Sequence, residues 1–278
     1  CLDFSSQEPR WITHYAEKLA RDPMSGWAPE VRQSAIRAAE DCRSNPRWDN
    51  HSMMARFIYG ERFNQDLVET DKETKALRGN AKTTFLGKCY GMGGAKLCDQ
   101  YGLPTILVVP DPNRGWIVYP IDSPEGLALM KQGVRPARRA GPEGQAIINA
   151  FDAGVPYIKA LAKATQEAAE SRGWIRTAMG RVCRFPQDLS KGPGAYTWGH
   201  KSLNRLIQGT SADQTKLAMV LADDEGIPLQ LQVHDELDLT VYERREAERV
   251  AEIMVGAVPC LVPTRVDIEI GPSWGELK

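Results

Sequence analysis

Residues 229–241 read L-Q-L-Q-V-H-D-E-L-D-L-T-V, with Leu229, Leu231, Val233, Leu237, Leu239 and Val241 at alternate positions. A period of two belongs to a strand with one buried face, because successive side chains of a strand point to opposite sides. The run is interrupted at His234-Asp235, where the chain must turn. Two antiparallel strands with a carboxylate at their tip are expected, since Asp suits turns by bonding its own backbone.

Helical periodicity surrounds this strand pair. Residues 11–60 carry broken apolar periodicity, with loop clusters at D-P-M-S-G-W and R-S-N-P-R-W-D-N; residues 72–91 are bounded after Tyr90 by G-M-G-G; residues 146–171 end at Gly173; and residues 201–225 are closed by Gly226. Glycine past the last periodic residue stops a helix efficiently. Short strands are expected on either side of Met179-Gly180 and at V-D-I-E-I near the end. Residues 104–144 differ, reading as a short hairpin and a mobile loop inserted between helices. Helices combined with antiparallel strands place the chain in the α+β class. The 278 residues suffice for one large domain or two ordinary ones. Apolar residues at 42% and charged residues at 26% exclude a disordered tail or a collagen-like fibre. The longest apolar run, T-I-L-V-V-P, is far too short to cross a bilayer, so no membrane partner is expected.

A net charge of −1 argues at first against a polyanionic partner, but the charges are segregated. Residues 72–96 hold six Lys/Arg against Glu73 alone, and residues 172–205 hold seven against Asp188 alone. Residues 223–252 hold ten Asp/Glu against three Arg. Two readings fit: solvated helix faces beside an acidic surface, or basic walls for a polyanion beside a place for metal ions.

Within R-G-N-A-K-T-T-F-L-G-K-C-Y-G, Arg78, Lys82, Leu86 and Tyr90 are spaced by four and share one helix face over about 18 Å. A face that runs from two cations to a ring matches a nucleotide with phosphates at one end and a base at the other. The alternative is a solvated basic face with Tyr90 at the core edge. Asp235, with Glu236 beside it, and Asp3 from a distant segment are candidate ligands for divalent cations; if they meet, they repel unless cations lie between them. Mg²⁺ suits such a place because it takes one or two carboxylates plus substrate phosphates, and two such ions clamp an in-line phosphoryl displacement. Asn204 and Gln208, also four apart, suit minor-groove edges or simply a polar surface. The six cysteines, Cys1, Cys42, Cys89, Cys98, Cys183 and Cys260, form no C-x-x-C pair, which suggests neither a zinc site nor a disulfide framework and fits a reducing, cytoplasmic setting. The opening Cys1-Leu2-Asp3 lies inside what reads as a structured segment, so sequence upstream is expected.

Taken together these segments resemble the family A DNA polymerases. D-F-S-S-Q-E-P-R is similar to their first palm motif, R-G-N-A-K-T-T-F-L-G-K-C-Y-G to the fingers helix motif and Q-V-H-D-E-L to the second catalytic palm motif. T-A-M-G-R, L-I-Q-G-T-S-A-D and G-P-S-W match further family segments in the family's order. The resemblance implies the right-hand polymerase fold, with an antiparallel-sheet palm and mainly helical fingers. Residues 1–14 and 173–278 are then palm and residues 15–172 fingers, with an insertion at 104–144. Thumb and exonuclease segments, which precede the first palm motif in the family, are expected on an upstream polypeptide.

The implied activity is DNA-templated addition of deoxynucleoside triphosphates to a primer 3′ end, with primer-template DNA and dNTP as partners and two Mg²⁺ ions as cofactors. The resemblance assigns Asp3, Asp235 and the carbonyl of Phe4 to the metals, and Arg78, Lys82 and His51 to the triphosphate. Lys82 also becomes the proton donor to the leaving pyrophosphate. Tyr90 is implied to close over the new base pair and Glu8 to block a ribose 2′-hydroxyl. Gln208, Asn204, His234 and Arg10 are implied to meet DNA, and Glu236 to support the metal site or primer end. Two positions depart from the pattern: Leu86 stands where many members carry Phe or Tyr, and His200 where arginine is common. A single-subunit RNA polymerase is the nearest enzymatic rival, opposed by Glu8 and by Q-V-H-D-E in place of H-D-S. A non-catalytic DNA-binding remnant is the rival of another kind.

Overall fold

In the computed structural model, which describes residues 1–45, 48–68, 70–114, 117–192 and 194–276, the chain opens with β1 (Leu2–Phe4), α1 (Gln7–Arg21), α2 (Pro29–Ser44), α3 (Asn50–Tyr59), α4 (Lys72–Cys89) and α5 (Gly94–Tyr101). It continues through β2 (Thr105–Pro110), β3 (Val118–Pro120), α6 (Pro124–Lys131), β4 (Ala137–Ala140), α7 (Pro142–Gly154) and α8 (Pro156–Arg172). The last part holds β5 (Trp174–Arg176), β6 (Val182–Arg184), α9 (Ser202–Asp224), β7 (Leu231–Val233), β8 (Glu236–Asp238), α10 (Arg244–Gly256) and β9 (Val266–Ile268). Parts of the expected loops that fall on Pro46, Arg47, Gly115 and Trp116, and the closing Leu277 and Lys278, lie outside the described residues.

Two compact units result, Cys1–Asn50 with Val155–Lys278, and His51–Gly154. This division differs from segments bounded at 14/15 and 172/173, because α2 and α8 pack with α1 and α9 inside the first unit.

The first unit is organised around an antiparallel sheet of order β7-β8-β1-β9. Alternation along the strands buries Leu2, Phe4 and Leu237 on one face, where α10 packs behind β1 and β9. Helix α10 supplies Ala247, Val250, Ile253 and Met254 at helical spacing to that core, and a capping box between Glu243 and Glu246 starts it. The expected strand pair is present but shorter than the alternating run: β7 and β8 pair only from Leu231↔Asp238 to Val233↔Glu236. The hairpin β5–β6 turns at Gly180, whose φ of 88° few other residues tolerate.

The second unit carries α4, which starts where Asp71 accepts a 2.7 Å hydrogen bond from the Thr74 amide. Its end is a Schellman motif: Gly91, at φ 87°, donates to the Lys88 carbonyl and Met92 to the Gly87 carbonyl. Residues 104–144 depart from expectation. The stretch read as a mobile loop contains helix α6 and strand β4, and β2 lies between β3 and β4 in a three-stranded antiparallel sheet. Arg138 of β4 bonds Asp99 of α5 at 2.5 Å, tying the strand to its neighbouring helix. Residues 146–171 likewise form two helices rather than one, because Pro156 has no amide to continue α7 and instead opens α8 at its first position.

Candidate active site

Strand β1 brings the first acidic segment into the middle of the sheet. Leu2 pairs with Leu237 and Asp3 with Glu236, while the Phe4 amide donates to the Asp235 carbonyl at 3.4 Å. Strands separated by more than two hundred residues thus put Asp3 beside the turn that presents Asp235. Since Leu2, Phe4 and Leu237 occupy the buried face, period two assigns Asp3 and Glu236 to the other face. Asp3, Asp235 and Glu236 are all partly accessible. Asp3, Asp235 and the Phe4 carbonyl could offer a cation only oxygen donors, the chemistry that a hard ion such as Mg²⁺ requires. Glu236 accepts a 3.1 Å hydrogen bond from the Trp274 indole, which fixes one of its oxygens.

The backbone around these acids is held in an uncommon conformation. Ser6, Trp198 and His234 are the non-glycine residues with positive φ among those described. Ser6, at 55°, ends the β1 segment and His234, at 54°, opens the two-residue turn before Asp235. Left-handed geometry at such residues costs about 1–3 kcal/mol and persists where surrounding structure determines it.

That surrounding structure is a buried polar network that the sequence pattern does not reveal. The Gln7 amide donates to the Gln214 side-chain carbonyl at 3.1 Å, and Trp11 donates to the same oxygen at 2.9 Å. Tyr15 and Thr210 join their hydroxyls at 2.7 Å, and the Tyr15 hydroxyl also accepts from the Ala178 amide. These bonds fasten α1 to α9 and to the β5–β6 hairpin. Asp213 of α9 completes the attachment by accepting from Thr177 and pairing with Arg181. Glutamines and a tyrosine in helices are usually solvent-facing, and the stripe of Trp11, Ile12, Tyr15, Ala16, Leu19 and Ala20 on α1 announces apolar packing rather than these hydrogen bonds.

Other expected residues take varied places. Glu8 lies on the first turn of α1, half-buried; on α9, Asn204 is half-buried and Gln208 exposed, one turn apart. His234 is exposed at the hairpin tip. Arg10 does not present its guanidinium to a partner. It is 3% exposed, donating from Nε to the Ser5 carbonyl at 2.9 Å and from Nη1 to the Pro263 carbonyl at 2.5 Å, over the Trp48 ring. These bonds make Arg10 a clamp on the backbone that follows Phe4.

In the second unit the Arg78, Lys82, Leu86 and Tyr90 series runs along α4, with Lys82 exposed and the others half-buried. The adjacent stripe of Leu77, Ala81, Phe85 and Cys89 is buried and anchors the helix. Phe85 stands edge-on to His51 at 6.0 Å and to Phe151 at 6.0 Å. His51 is 2% exposed and packs against α4 through Phe85.

Comparison with known proteins follows these features. The family model of DNA polymerase family A matches residues 134–276, just over half of the chain. A DNA-directed DNA polymerase of Pseudomonas phage M6 is 44% identical over 273 residues, 98% of this chain and 37% of the relative. DNA polymerase DpoZ of Acinetobacter phage SH-Ab 15497 is 30% identical over 98% of this chain and 37% of its own length. The chain thus spans little more than a third of these relatives. The POL domain of Pol1 from M. smegmatis, solved in complex with DNA primer-template and dNTP, superposes with a TM-score of 0.61 at 24% identity, covering 98% of this chain and 39% of that one. That likeness establishes the fold, and the family match establishes descent: the chain belongs to DNA polymerase family A.

Proposed function

We propose that the chain is the fingers-palm part of a DNA-templated DNA polymerase, adding deoxynucleotides to a primer 3′ end and releasing pyrophosphate. The observation that carries this reading is the β1–β8 register, which sets Asp3 beside the Asp235 turn. Two Mg²⁺ ions held by Asp3, Asp235 and the Phe4 carbonyl would supply charge neutralisation and Lewis acidity for the phosphoryl transfer.

The chain's own residues provide positioning, which is most of what phosphoryl transfer needs. Arg78 and Lys82 bind the triphosphate; the primer 3′-hydroxyl, its proton lost to solvent, bonds to the α-phosphorus while the bridging bond from that phosphorus to the β-phosphate oxygen breaks, and Lys82 gives a proton to the departing pyrophosphate. Tyr90 covers the nascent base pair. Glu8 occupies the space of a ribose 2′-hydroxyl, which favours deoxynucleotides. Leu86 offers an aliphatic surface where a ring is common in the family, and so grips the sugar less. Asn204, Gln208 and His234 meet the primer-template, Glu236 supports the acid pair, and Arg10 holds the backbone behind Phe4. His51 contacts the triphosphate. An upstream polypeptide carrying the thumb would add phosphate contacts, and with them affinity.

Primer extension in Mg²⁺, by the chain alone and with its candidate upstream polypeptide, tests the reading. Extension by the wild type is expected to fall by more than about 100-fold in Asp235→Ala. Failure of both wild-type preparations to extend a primer they bind would favour a non-catalytic DNA-binding remnant.

A further inference from the structure

Beside the Asp3–Asp235 pair, the same sheet holds a second group of ligand atoms. Leu2 stands opposite Leu237 and Asp3 opposite Glu236, so the register carries Cys1 across from Asp238 one step further along. The ligand atoms of Cys1, Glu236 and Asp238 all lie within 4.8 Å of one another. Asp238 is only 6% exposed, and among the described residues its carboxylate oxygens find no hydrogen-bond partner outside the Glu236 carboxyl group. The backbone nitrogen of Cys1 is 3.9 Å from Asp238 Oδ1, beyond hydrogen-bonding distance. Glu236 gives one oxygen to Trp274 and retains the other.

Two neighbouring carboxylates, one of them buried, repel unless a proton or a metal cation lies between them. Burial first, and then the charge of Glu236, raise the Asp238 pKa above the usual carboxylate range, as expected for such a pair. A thiol in the same sphere adds a soft donor that Mg²⁺ does not seek and that borderline ions prefer. A cavity of about 300 Å³, lined by Cys1, Asp238, Glu269 and Trp274 among others, reaches two of the three residues.

We propose that Cys1, Glu236 and Asp238 form a divalent-cation site distinct from the Asp3–Asp235 pair and selective for thiophilic ions of the Zn²⁺ and Co²⁺ kind over Mg²⁺. No C-x-x-C spacing announces it, because strand pairing rather than sequence proximity assembles the ligands. The site does not depend on catalysis, and its readout is spectroscopic.

Titration of the chain with Co²⁺ is the test. One equivalent is expected to produce thiolate-to-cobalt charge-transfer absorption in the near ultraviolet, displaced by Zn²⁺ and unaffected by excess Mg²⁺. Cys1→Ser should remove the band, Asp238→Asn should weaken binding by at least about 10-fold, and Asp3→Asn with Asp235→Asn should leave the band in place. Circular dichroism of each variant checks that it is folded. A chain extended upstream of Cys1, in which the Cys1 nitrogen is an amide, should keep the band. Loss of the band on that extension would reassign it to a terminal amine-thiolate chelate and overturn the proposal. Absence of the band in the wild type, or its survival in Cys1→Ser, would overturn it as well.

Discussion

His14 shows how far burial can redirect a single side chain. Its ring is 8% exposed and its Nδ1 accepts the Leu261 amide at 3.0 Å, which requires the neutral form at that nitrogen. Burial first, and the nearby Lys18 charge second, lower its pKa to about 4, against a smaller opposite pull from Glu17. A histidine whose pKa is depressed on folding binds more protons when unfolded, so its stability contribution is full above about 6.5 and is lost as the pH falls toward 4. Urea unfolding between pH 7 and pH 4 should show a loss of up to about 3 kcal/mol attributable to this group, and His14→Gln should flatten that part of the profile. An unchanged profile in the variant would refute the assignment. Glu17, on the same helix, follows the opposite sign: burial pushes it up, yet hydrogen bonds from Arg43 and Arg21 outweigh burial and hold it low. The sequence offered Asp3, Asp235 and the α4 series at this scale because their spacing is local or lies in short motifs. It could not offer the Arg10 clamp or the role of His14, which depend on the Pro263 carbonyl and the Leu261 amide.

Helix α1 is buried almost all round and carries polar groups throughout, so its attachment to α9 depends on hydrogen bonds as much as on apolar area. Gln214 is the hub, accepting from both Gln7 and Trp11 at one oxygen. Gln214→Leu keeps the volume but leaves the buried Trp11 indole without its acceptor, while the Gln7 amide keeps the Ser211 carbonyl at 3.3 Å and the Thr215 hydroxyl at 3.4 Å; one stranded buried donor costs about 1–3 kcal/mol. Thermal or urea unfolding should therefore record a loss of about 2 kcal/mol, and a loss below about 0.5 kcal/mol would mean that the network is not what joins these elements. Strand β1 follows directly into α1, so the same bonds orient the segment that bears Asp3. Elements with a strong period were legible: β7 and β8, α4 and α9 lie where periodicity and glycine stops put them. The sheet of residues 104–144 was not, because Arg138 and Arg139 are adjacent charged residues in a strand whose order comes from pairing with Ile106 and Leu107. Likewise, the α7–α8 break was masked by apolar periodicity that continues on both sides of Pro156.

At the scale of the molecule, a net charge of −1 conceals opposite local fields. The basic run at residues 72–96 lies in the unit that carries α4, and the acidic run at residues 223–252 lies in the unit that carries the four-stranded sheet. Sums over a whole chain cannot register that separation, whereas the order of the motifs does. Membership of DNA polymerase family A follows from the matched segment, and the α+β architecture agrees with the polymerase fold of the Pol1 domain. The central claim is that the sheet bearing Asp3 and Asp235 performs templated nucleotide transfer. Single-nucleotide incorporation across four templates that differ only in the base opposite the incoming nucleotide tests it most directly, with the chain alone and with its candidate upstream polypeptide. The account predicts that each template base selects its complementary deoxynucleotide and that Asp3→Ala and Asp235→Ala each abolish incorporation. Incorporation that ignores the template base, or that survives both substitutions, would contradict it.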